Sequence, residues 1–321
     1  MHTVKTEGKG NVLPPSEIKR VKGLGCLQDK RFDDVFNVRV ITRNGKITAR
    51  EQMAVAEGAL RYGSGEITMT TRLTLEIQGV PYDKLEELFA FLAENGLETG
   101  GTGAKVRPVV SCKGTTCQYG LIDTFALSER LHRQFYQGYR DLVLPHKFKI
   151  AVGGCPNNCV KPDLNDIGIV GQKVPKINDE TCRRCKVCQV EKGCPMKAAK
   201  AADGQITIDP EVCNHCGRCI KNCPFGAVQE EMAGYQIYIG GRWGKKVARG
   251  RALKKIVQTE DQVAEMVDRT IMLFQKEGQK GERLSDTINR LGFAYCEDKL
   301  LNGAINREPT AEKQRTGGKT C

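Results

Sequence analysis

Two cysteine-rich strings near the middle of the chain constrain its fold more than any other feature. The first reads CRRCKVCQVEKGCP and the second reads CNHCGRCIKNCP. Each contains a Cys-x2-Cys-x2-Cys triplet and a fourth cysteine that precedes a proline. This spacing predicts a segment that wraps thiolate ligands around metal centres. The cysteines concerned are Cys182, Cys185, Cys188, Cys194, Cys213, Cys216, Cys219 and Cys223.

The spacing is typical of the two halves of a bacterial two-cluster ferredoxin. In that arrangement the triplet of one half shares a [4Fe-4S] cluster with the cysteine-proline of the other half. A zinc site is the alternative, but zinc favours two pairs of ligands over a triplet with a distant fourth cysteine. We therefore assign one cluster to Cys182, Cys185, Cys188 and Cys223, and another to Cys194, Cys213, Cys216 and Cys219.

Two further cysteine pairs lie upstream of the ferredoxin strings. The string SCKGTTC contains Cys112 and Cys117, and GGCPNNC contains Cys155 and Cys159. Each pair needs two more thiolates to complete a four-cysteine cluster site, and each can supply them to the other. The sequence therefore predicts three [4Fe-4S] clusters and a role in electron transfer.

The flanking segments carry alternating strand and helix patterns. FNVRVITRNG predicts a strand that turns at Asn44-Gly45, and AREQMAVAEGALRYG predicts a helix that stops at Gly63. EITMTTRLTLEIQG predicts one strand with Arg72 on its polar face, and PYDKLEELFAFLAENG predicts a helix. The residues expected to share the apolar face of that strand are Ile67, Met69, Leu73, Leu75 and Ile77. This order favours an α+β fold.

The same patterns resume after the ferredoxin strings. YQIYIGG predicts a strand, and TEDQVAEMVDRTIMLF predicts a helix that Thr259 and Gln262 begin as a capping box. The ferredoxin segment is therefore predicted to be an insertion into a larger domain. The predicted organisation is a disordered lead at 1–15, a first domain at 16–100, a second domain at 101–178 and 231–305, the insertion at 179–230 and a disordered tail at 306–321.

The chain has 321 residues and a formal net charge of +12, which raises the question of nucleic-acid binding. Each oxidised four-thiolate cluster carries roughly −2, so three clusters offset about half of that excess. No nucleic-acid motif accompanies the charge, and no apolar run is long enough to span a bilayer. We therefore expect a cytoplasmic protein with neither a nucleic-acid partner nor a membrane span.

Four basic residues lie close in sequence to the upstream cysteines. Arg72 belongs to the string TTR, and Arg107 lies five residues before Cys112. Lys147 and Lys149 alternate along LPHKFKI and are predicted to share one strand face. A single basic residue on a strand is usually a solvated charge. Four of them beside a cluster site predict a pocket that reduces an anion.

These strings together resemble the siroheme sulfite and nitrite reductase family, from about Phe36 to about Gly292. The resemblance implies a ferredoxin-like half domain followed by a siroheme and [4Fe-4S] domain. It also implies that Arg72, Arg107, Lys147 and Lys149 hold the substrate anion, and that Cys159 bridges the cluster to siroheme. Cys112 and Cys117 are separated by four residues, one fewer than is usual in the family, and His146 stands where an arginine is common.

The resemblance further implies six-electron reduction of sulfite to sulfide, with nitrite reduction to ammonia as an alternative. Siroheme is expected to lie against Asn157, Asn158 and Arg242, the last pairing with its carboxylates. Electrons are expected to enter the ferredoxin insertion from a donor protein, either a ferredoxin or a flavin or iron–sulfur reductase subunit. The third possibility is an electron-transfer subunit that lacks siroheme.

Overall fold

A computed structural model describes residues 12–202 and 204–303 of the chain. Within the predicted lead, residues 1–11 lie outside the described part, and helix α1 (Pro15–Gly23) already begins at the last predicted lead residue. The predicted tail at 306–321 lies wholly outside it.

The first domain is an antiparallel sheet covered by helices. Its strands are β1 (Cys26–Gln28), β2 (Val35–Ile41), β3 (Ile67–Met69), β4 (Leu75–Pro81) and β5 (Glu98–Thr99). They are ordered β1-β2-β4-β3, with β5 pairing to β2. Helices α2 (Ala49–Tyr62) and α3 (Leu85–Glu94) bury Val55, Ala59, Leu88 and Leu92 in the same core as Phe36 and Ile77. The predicted α+β class and the helix stop at Gly63 are confirmed.

The single strand predicted over EITMTTRLTLEIQG is wrong, because this segment is a hairpin. Ile67 pairs with Ile77 and Met69 pairs with Leu75, so β3 and β4 are antiparallel neighbours. Thr70 Oγ1 accepts from the backbone N–H of Arg72 at 3.3 Å, and Leu73 adopts a left-handed φ of 59°. Met69 is consequently 85% exposed instead of sharing the core face. Arg72 lies at the hairpin tip, not on a strand face.

The second domain is built on a mixed sheet of five strands in the order β12-β11-β8-β7-β6. Strands β6 (Val110–Ser111), β7 (Ile150–Gly153) and β8 (Ile167–Ile177) are parallel neighbours, whereas β11 (Val228–Ile239) and β12 (Arg251–Ala252) pair antiparallel. One core joins this sheet to helices α4 (Thr124–Leu131), α7 (Glu260–Glu277), α8 (Leu284–Leu291) and α9 (Phe293–Leu301). The predicted capping box of Thr259 and Gln262 is present at the start of α7.

The cysteine-rich segment connects two paired strands of this sheet. β8 and β11 pair from Ile167 opposite Ile239 to Ile177 opposite Val228, and the connecting segment continues from that end. It contains α5 (Gln189–Lys192), α6 (Arg218–Asn222) and a hairpin of β9 (Ala199–Ala202) and β10 (Gln205–Ile208). Its small core is formed by Val190, Ala199, Ile206 and Val228.

Candidate functional site

The two upstream cysteine pairs meet at one edge of the second-domain sheet. Cys112 follows β6 and Cys155 lies just after β7, and these strands are parallel neighbours, so their carboxyl ends lie side by side. The backbone N–H of Gly154 donates to Cys112 Sγ at 3.1 Å. Burial raises the pKa of the Cys155 thiol, and the nearby thiols of Cys112, Cys159 and Cys117 raise it further. The structure thus brings these four cysteines together.

Close approach of the two cysteine loops depends on glycine. A Cβ atom placed on Gly114 would lie 2.9 Å from the Cα atom of Gly154 and 2.6 Å from a methyl carbon of Thr124. Both glycines belong to the cysteine strings themselves, GGC and CKGTTC. A larger residue at Gly114 would push apart the loops that carry Cys112 and Cys155.

The eight ferredoxin-type cysteines line two separate cavities. In each cavity the triplet of one half meets the cysteine-proline of the other half, the arrangement that the spacing predicts. The first cavity is lined by Cys182, Cys185, Cys188 and Cys223, and the second by Cys194, Cys213, Cys216 and Cys219. Within the described ranges no group of three or more His, Cys, Asp or Glu is placed to hold a metal ion. A four-iron cluster is wider than a single ion, so its thiolates stand farther apart than the ligands of one metal.

The two halves of the cysteine-rich segment repeat the same backbone geometry. Arg184 and His215, which occupy the same place in their triplets, both have left-handed φ values, of 48° and 53°. Burial alone would raise the pKa of the Cys194 and Cys223 thiols. Backbone N–H groups from the residues that follow each cysteine outweigh burial, so both pKa values lie below the ordinary value. Such inward-pointing N–H groups favour a thiolate.

Arg72 reaches from the hairpin tip of the first domain into the second domain. Its Nη1 donates to Oδ1 of Asn165 at 3.0 Å, and its Nη2 donates to the carbonyl oxygen of Pro108 at 2.7 Å. Arg107 is held by the segment that follows β5, with Nη2 donating to the carbonyl oxygen of Gly103 at 2.9 Å. The acceptors that hold both guanidinium groups are neutral, and neither arginine forms an ion pair with a described residue.

The two lysines flank Phe148 as the alternation predicts. Phe148 is fully buried and bridges to Val106, while Lys147 and Lys149 are partly buried on either side of it. Regular strand β7 begins one residue later, at Ile150. Within the described ranges neither lysine ammonium forms an ion pair or a hydrogen bond with another side chain.

The cationic residues perturb one another. Burial, followed by the charge of Arg107, lowers the pKa of Arg72 to about 9, and burial lowers the pKa of Arg107 to about 10. Burial, followed by the charges of Arg72 and Arg283, lowers the pKa of Lys149 to about 8. The pKa of Lys147 is lowered by the same kinds of cause. An anion bound beside these residues would offset the repulsion between their positive charges.

Sequence reasoning missed two residues that lie among these cations, Arg283 and Asp166. Arg283 is 4% exposed and its Nη2 lies 2.8 Å from Oδ2 of Asp166, whose side chain is fully buried. Oδ2 of Asp166 also accepts from the backbone N–H of Lys149 at 2.9 Å. The one local sign of Arg283 is its place at the N-cap of α8, where a small polar residue is usual. We call Arg72, Arg107, Lys147, Lys149 and Arg283 the cationic cluster.

The residues expected to contact siroheme lie on loops beside the cationic cluster. Arg242 donates to Oδ2 of Asp286 at 2.9 Å, and Asn158 Nδ2 donates to Oδ1 of Asp163 at 2.7 Å. Asn157 and Cys159 are exposed. A third carboxylate contact, from Arg249 to Oδ2 of Asp163 at 2.6 Å, joins the loops of Arg242 and Asn158.

The donor set fits anionic groups beside a cluster, whether the carboxylates of a cofactor or the oxygens of a substrate. In the described part of the chain, buried nitrogen atoms without a hydrogen-bond partner include the Nε atoms of Arg72, Arg107 and Arg283. Buried N–H groups left this way normally cost free energy, so their occurrence together indicates a missing acceptor. The four cysteines nearby supply the thiolates that an iron–sulfur cluster needs.

Comparison with known families agrees with this geometry. Residues 102–302 match the model of the nitrite and sulphite reductase 4Fe-4S domain, and residues 29–95 match that of the nitrite/sulfite reductase ferredoxin-like half domain. The chain belongs to the nitrite and sulphite reductase family. Members of this family are oxidoreductases, and the ferredoxin-like half domain implied by the resemblance is confirmed.

Two relatives and one solved structure illustrate the family likeness. The chain is 33% identical over 267 residues to the coenzyme F420-dependent sulfite reductase of Methanocaldococcus jannaschii, covering 82% of this chain but 42% of that protein. It is 28% identical over 308 residues to one of the subunits of the anaerobic sulfite reductase of Salmonella typhimurium, covering 88% of each. Dissimilatory sulfite reductase I shares the fold with a TM-score of 0.68 at 24% identity, covering 89% of this chain and 74% of that one.

Among residues 12–202 and 204–303, no helix is both long and apolar enough to cross a membrane.

Proposed function

We propose that this chain reduces sulfite to sulfide by six electrons, using siroheme and iron–sulfur clusters. The observation that carries the proposal is the cationic cluster, where five basic side chains accompany one buried carboxylate, that of Asp166. A protein that only relays electrons needs no such anion site. The named relatives of the chain, which are sulfite reductases, support sulfite as the substrate.

The cysteines at the ends of β6 and β7 would hold the cluster nearest the substrate. Its four ligands would be Cys112, Cys117, Cys155 and Cys159, and Cys159 would also hold siroheme. Cys159 suits that role because it is the exposed member of the four and can be reached by a bulky group. Arg242, on the neighbouring loop, would pair with the siroheme carboxylates. Siroheme, when bound, would supply the redox chemistry that passes electrons from the clusters to sulfite.

The cationic cluster binds and orients the oxygens of sulfite. Arg72 and Arg107 are fixed by carbonyl and amide oxygens and keep Nε–H groups free of any described acceptor. Fixed donors that need no reorganisation stabilise charge that develops during a reaction. The partly buried position of the cationic cluster strengthens its contacts with the sulfite oxygens, because water screens them less.

Lys147 and Lys149 supply protons at their Nζ atoms. Reduction of sulfite consumes six protons with six electrons, and its three oxygens leave as water. An arginine keeps its proton under these conditions, whereas a lysine whose pKa is lowered releases it readily. The pKa of Lys149 at about 8 places it close to neutral pH, where it can donate and then recover a proton. The carboxylate of Asp166 accepts from the backbone N–H of Lys149 and holds that backbone in place.

The cofactor content and the substrate can be tested on anaerobically purified protein. We expect about twelve irons in three clusters, one further iron in siroheme, and the sharp visible bands of siroheme. A dye-driven assay should show sulfite reduction, with nitrite measured in parallel. About eight irons without siroheme bands would contradict the proposal and leave an electron-transfer protein, and reduction of nitrite alone would reassign the substrate.

A further inference from the structure

The two cavities of the cysteine-rich segment differ in their surroundings. The cavity of Cys194, Cys213, Cys216 and Cys219 lies against the second domain. The backbone N–H of Lys173, on β8, donates to the carbonyl oxygen of His215 at 2.8 Å. The guanidinium of Arg218 lies 4.8 Å from the ring centroid of Tyr119, two residues after Cys117. We call this the inner cavity, and none of its four cysteines is exposed.

The other cavity opens to solvent. Of its cysteines, Cys185 is exposed, and the residues around it are basic and apolar. Arg183 and Arg184 line this outer cavity, and no acidic residue of the described chain does. Lys186 is exposed next to Cys185. We define the outer face as Arg183, Arg184, Lys186, Val187 and Phe225.

The outer face has an apolar centre held by a cation. Val187 is 59% exposed and Phe225 is 41% exposed. The guanidinium of Arg183 lies 4.6 Å from the ring centroid of Phe225, which fixes the ring beside the cavity. Exposed apolar groups rimmed by charge are typical of protein interaction sites. The cluster site nearest to solvent is thus also the one with the features of a protein contact.

We propose that the outer face docks a small acidic electron-carrier protein. This inference rests on the proposed function, which needs six single electrons from outside the chain for each sulfite. The three cations of the outer face complement an acidic surface and would repel the same face of a second copy of this chain. A carrier must leave after each delivery, which suits a small contact guided mainly by charge.

The test measures binding of an oxidised, acidic bacterial-type ferredoxin as the probe. Arg184→Glu combined with Lys186→Glu reverses two charges of the outer face without removing the Arg183–Phe225 contact. We expect the Kd to rise by about tenfold to a hundredfold at low ionic strength, and the difference to shrink at high salt. Lys19→Glu combined with Lys30→Glu is the matched control, since both residues are exposed in the first domain. It should bind as the wild type does.

The result separates the docking inference from the proposed function. Dye-driven sulfite reduction should be the same in the wild type, the outer-face variant and the control, because a small dye needs no docking face. If the wild type does not reduce sulfite in that assay, the proposed function is wrong, while the Kd for ferredoxin still tests the docking face. If the glutamate variant loses iron, Arg184→Gln with Lys186→Gln replaces it. Unchanged ferredoxin affinity in an iron-replete variant would overturn the proposal.

Discussion

Replacing Lys149 by arginine should separate anion binding from proton donation in the cationic cluster. Lys149 has its backbone N–H on Asp166 and its ammonium among cations, without a described hydrogen-bond partner. Arginine keeps the positive charge that attracts sulfite but holds its proton far more strongly. We therefore expect KM for sulfite to stay near the wild-type value while kcat falls by about a hundredfold or more.

The pKa of Lys149 determines how strongly kcat/KM should change with pH. With the pKa of Lys149 at about 8, its protonated fraction falls from roughly 0.9 at pH 7 to roughly 0.1 at pH 9. Wild-type kcat/KM should therefore drop about tenfold over that interval. Bound sulfite is an anion and favours the charged lysine, so the same decline in kcat should lie at higher pH. In Lys149→Arg the decline should move upward by about two pH units, the difference between the ordinary pKa values.

The assay is dye-driven sulfite reduction from pH 6.5 to 10, with iron and siroheme content measured for each variant. Lys149→Met, which removes the charge at similar size, is the control and should lower kcat/KM by about a hundredfold to a thousandfold. Lys147→Met should also lower kcat/KM. If wild-type kcat/KM stays flat between pH 7 and 9, or Lys149→Arg turns over at the wild-type rate, the proton-donor role of Lys149 is refuted.

Two further predictions concern what holds the site together. Asp166→Asn should destabilise the protein by about 3–5 kcal/mol, because it leaves the buried Arg283 charge without its partner. The midpoint of thermal unfolding measures this loss. An unchanged midpoint would show that Arg283 finds another acceptor. Phe148→Ala should lower the free energy of unfolding by a similar amount, about 3–5 kcal/mol, since the ring is fully buried against Phe274. The control is Phe32→Ala, which removes an exposed ring and should change the thermal midpoint little.

Local sequence patterns were sufficient wherever the physics is local. The helix beginning at Thr259 is such a case, because a capping box needs only residues three apart. The alternation of Lys147, Phe148 and Lys149 likewise predicted the buried and partly buried positions correctly, since successive side chains in extended backbone point to opposite sides. The turn at Asn44-Gly45 has left-handed φ at both residues, which these two residue types accept most readily.

The hairpin at Arg72 shows where the same reasoning failed. The alternation in EITMTTRLTLEIQG breaks only at Thr71, where a polar residue takes an apolar-face position, and no glycine or proline marks the turn. The chain turns there through Thr70, which caps two backbone N–H groups, and through Leu73 in a left-handed conformation that leucine rarely adopts. Contacts from Arg72 to Asn165 and Pro108 fix the hairpin tip against the second domain.

The sequence by itself determined which chemistry the chain can carry, because cysteine spacing is a local property that sets which thiolates can reach one cluster. It also determined the α+β class and the ferredoxin-like half domain. Only the tertiary structure decided which charges meet. Arg283 lies 117 residues from Asp166, and the two come together because α8 and β8, which follow them directly, pack in the same hydrophobic core. Opposite charges that distant in sequence find each other through the packing of the elements that carry them, and no local pattern records that packing.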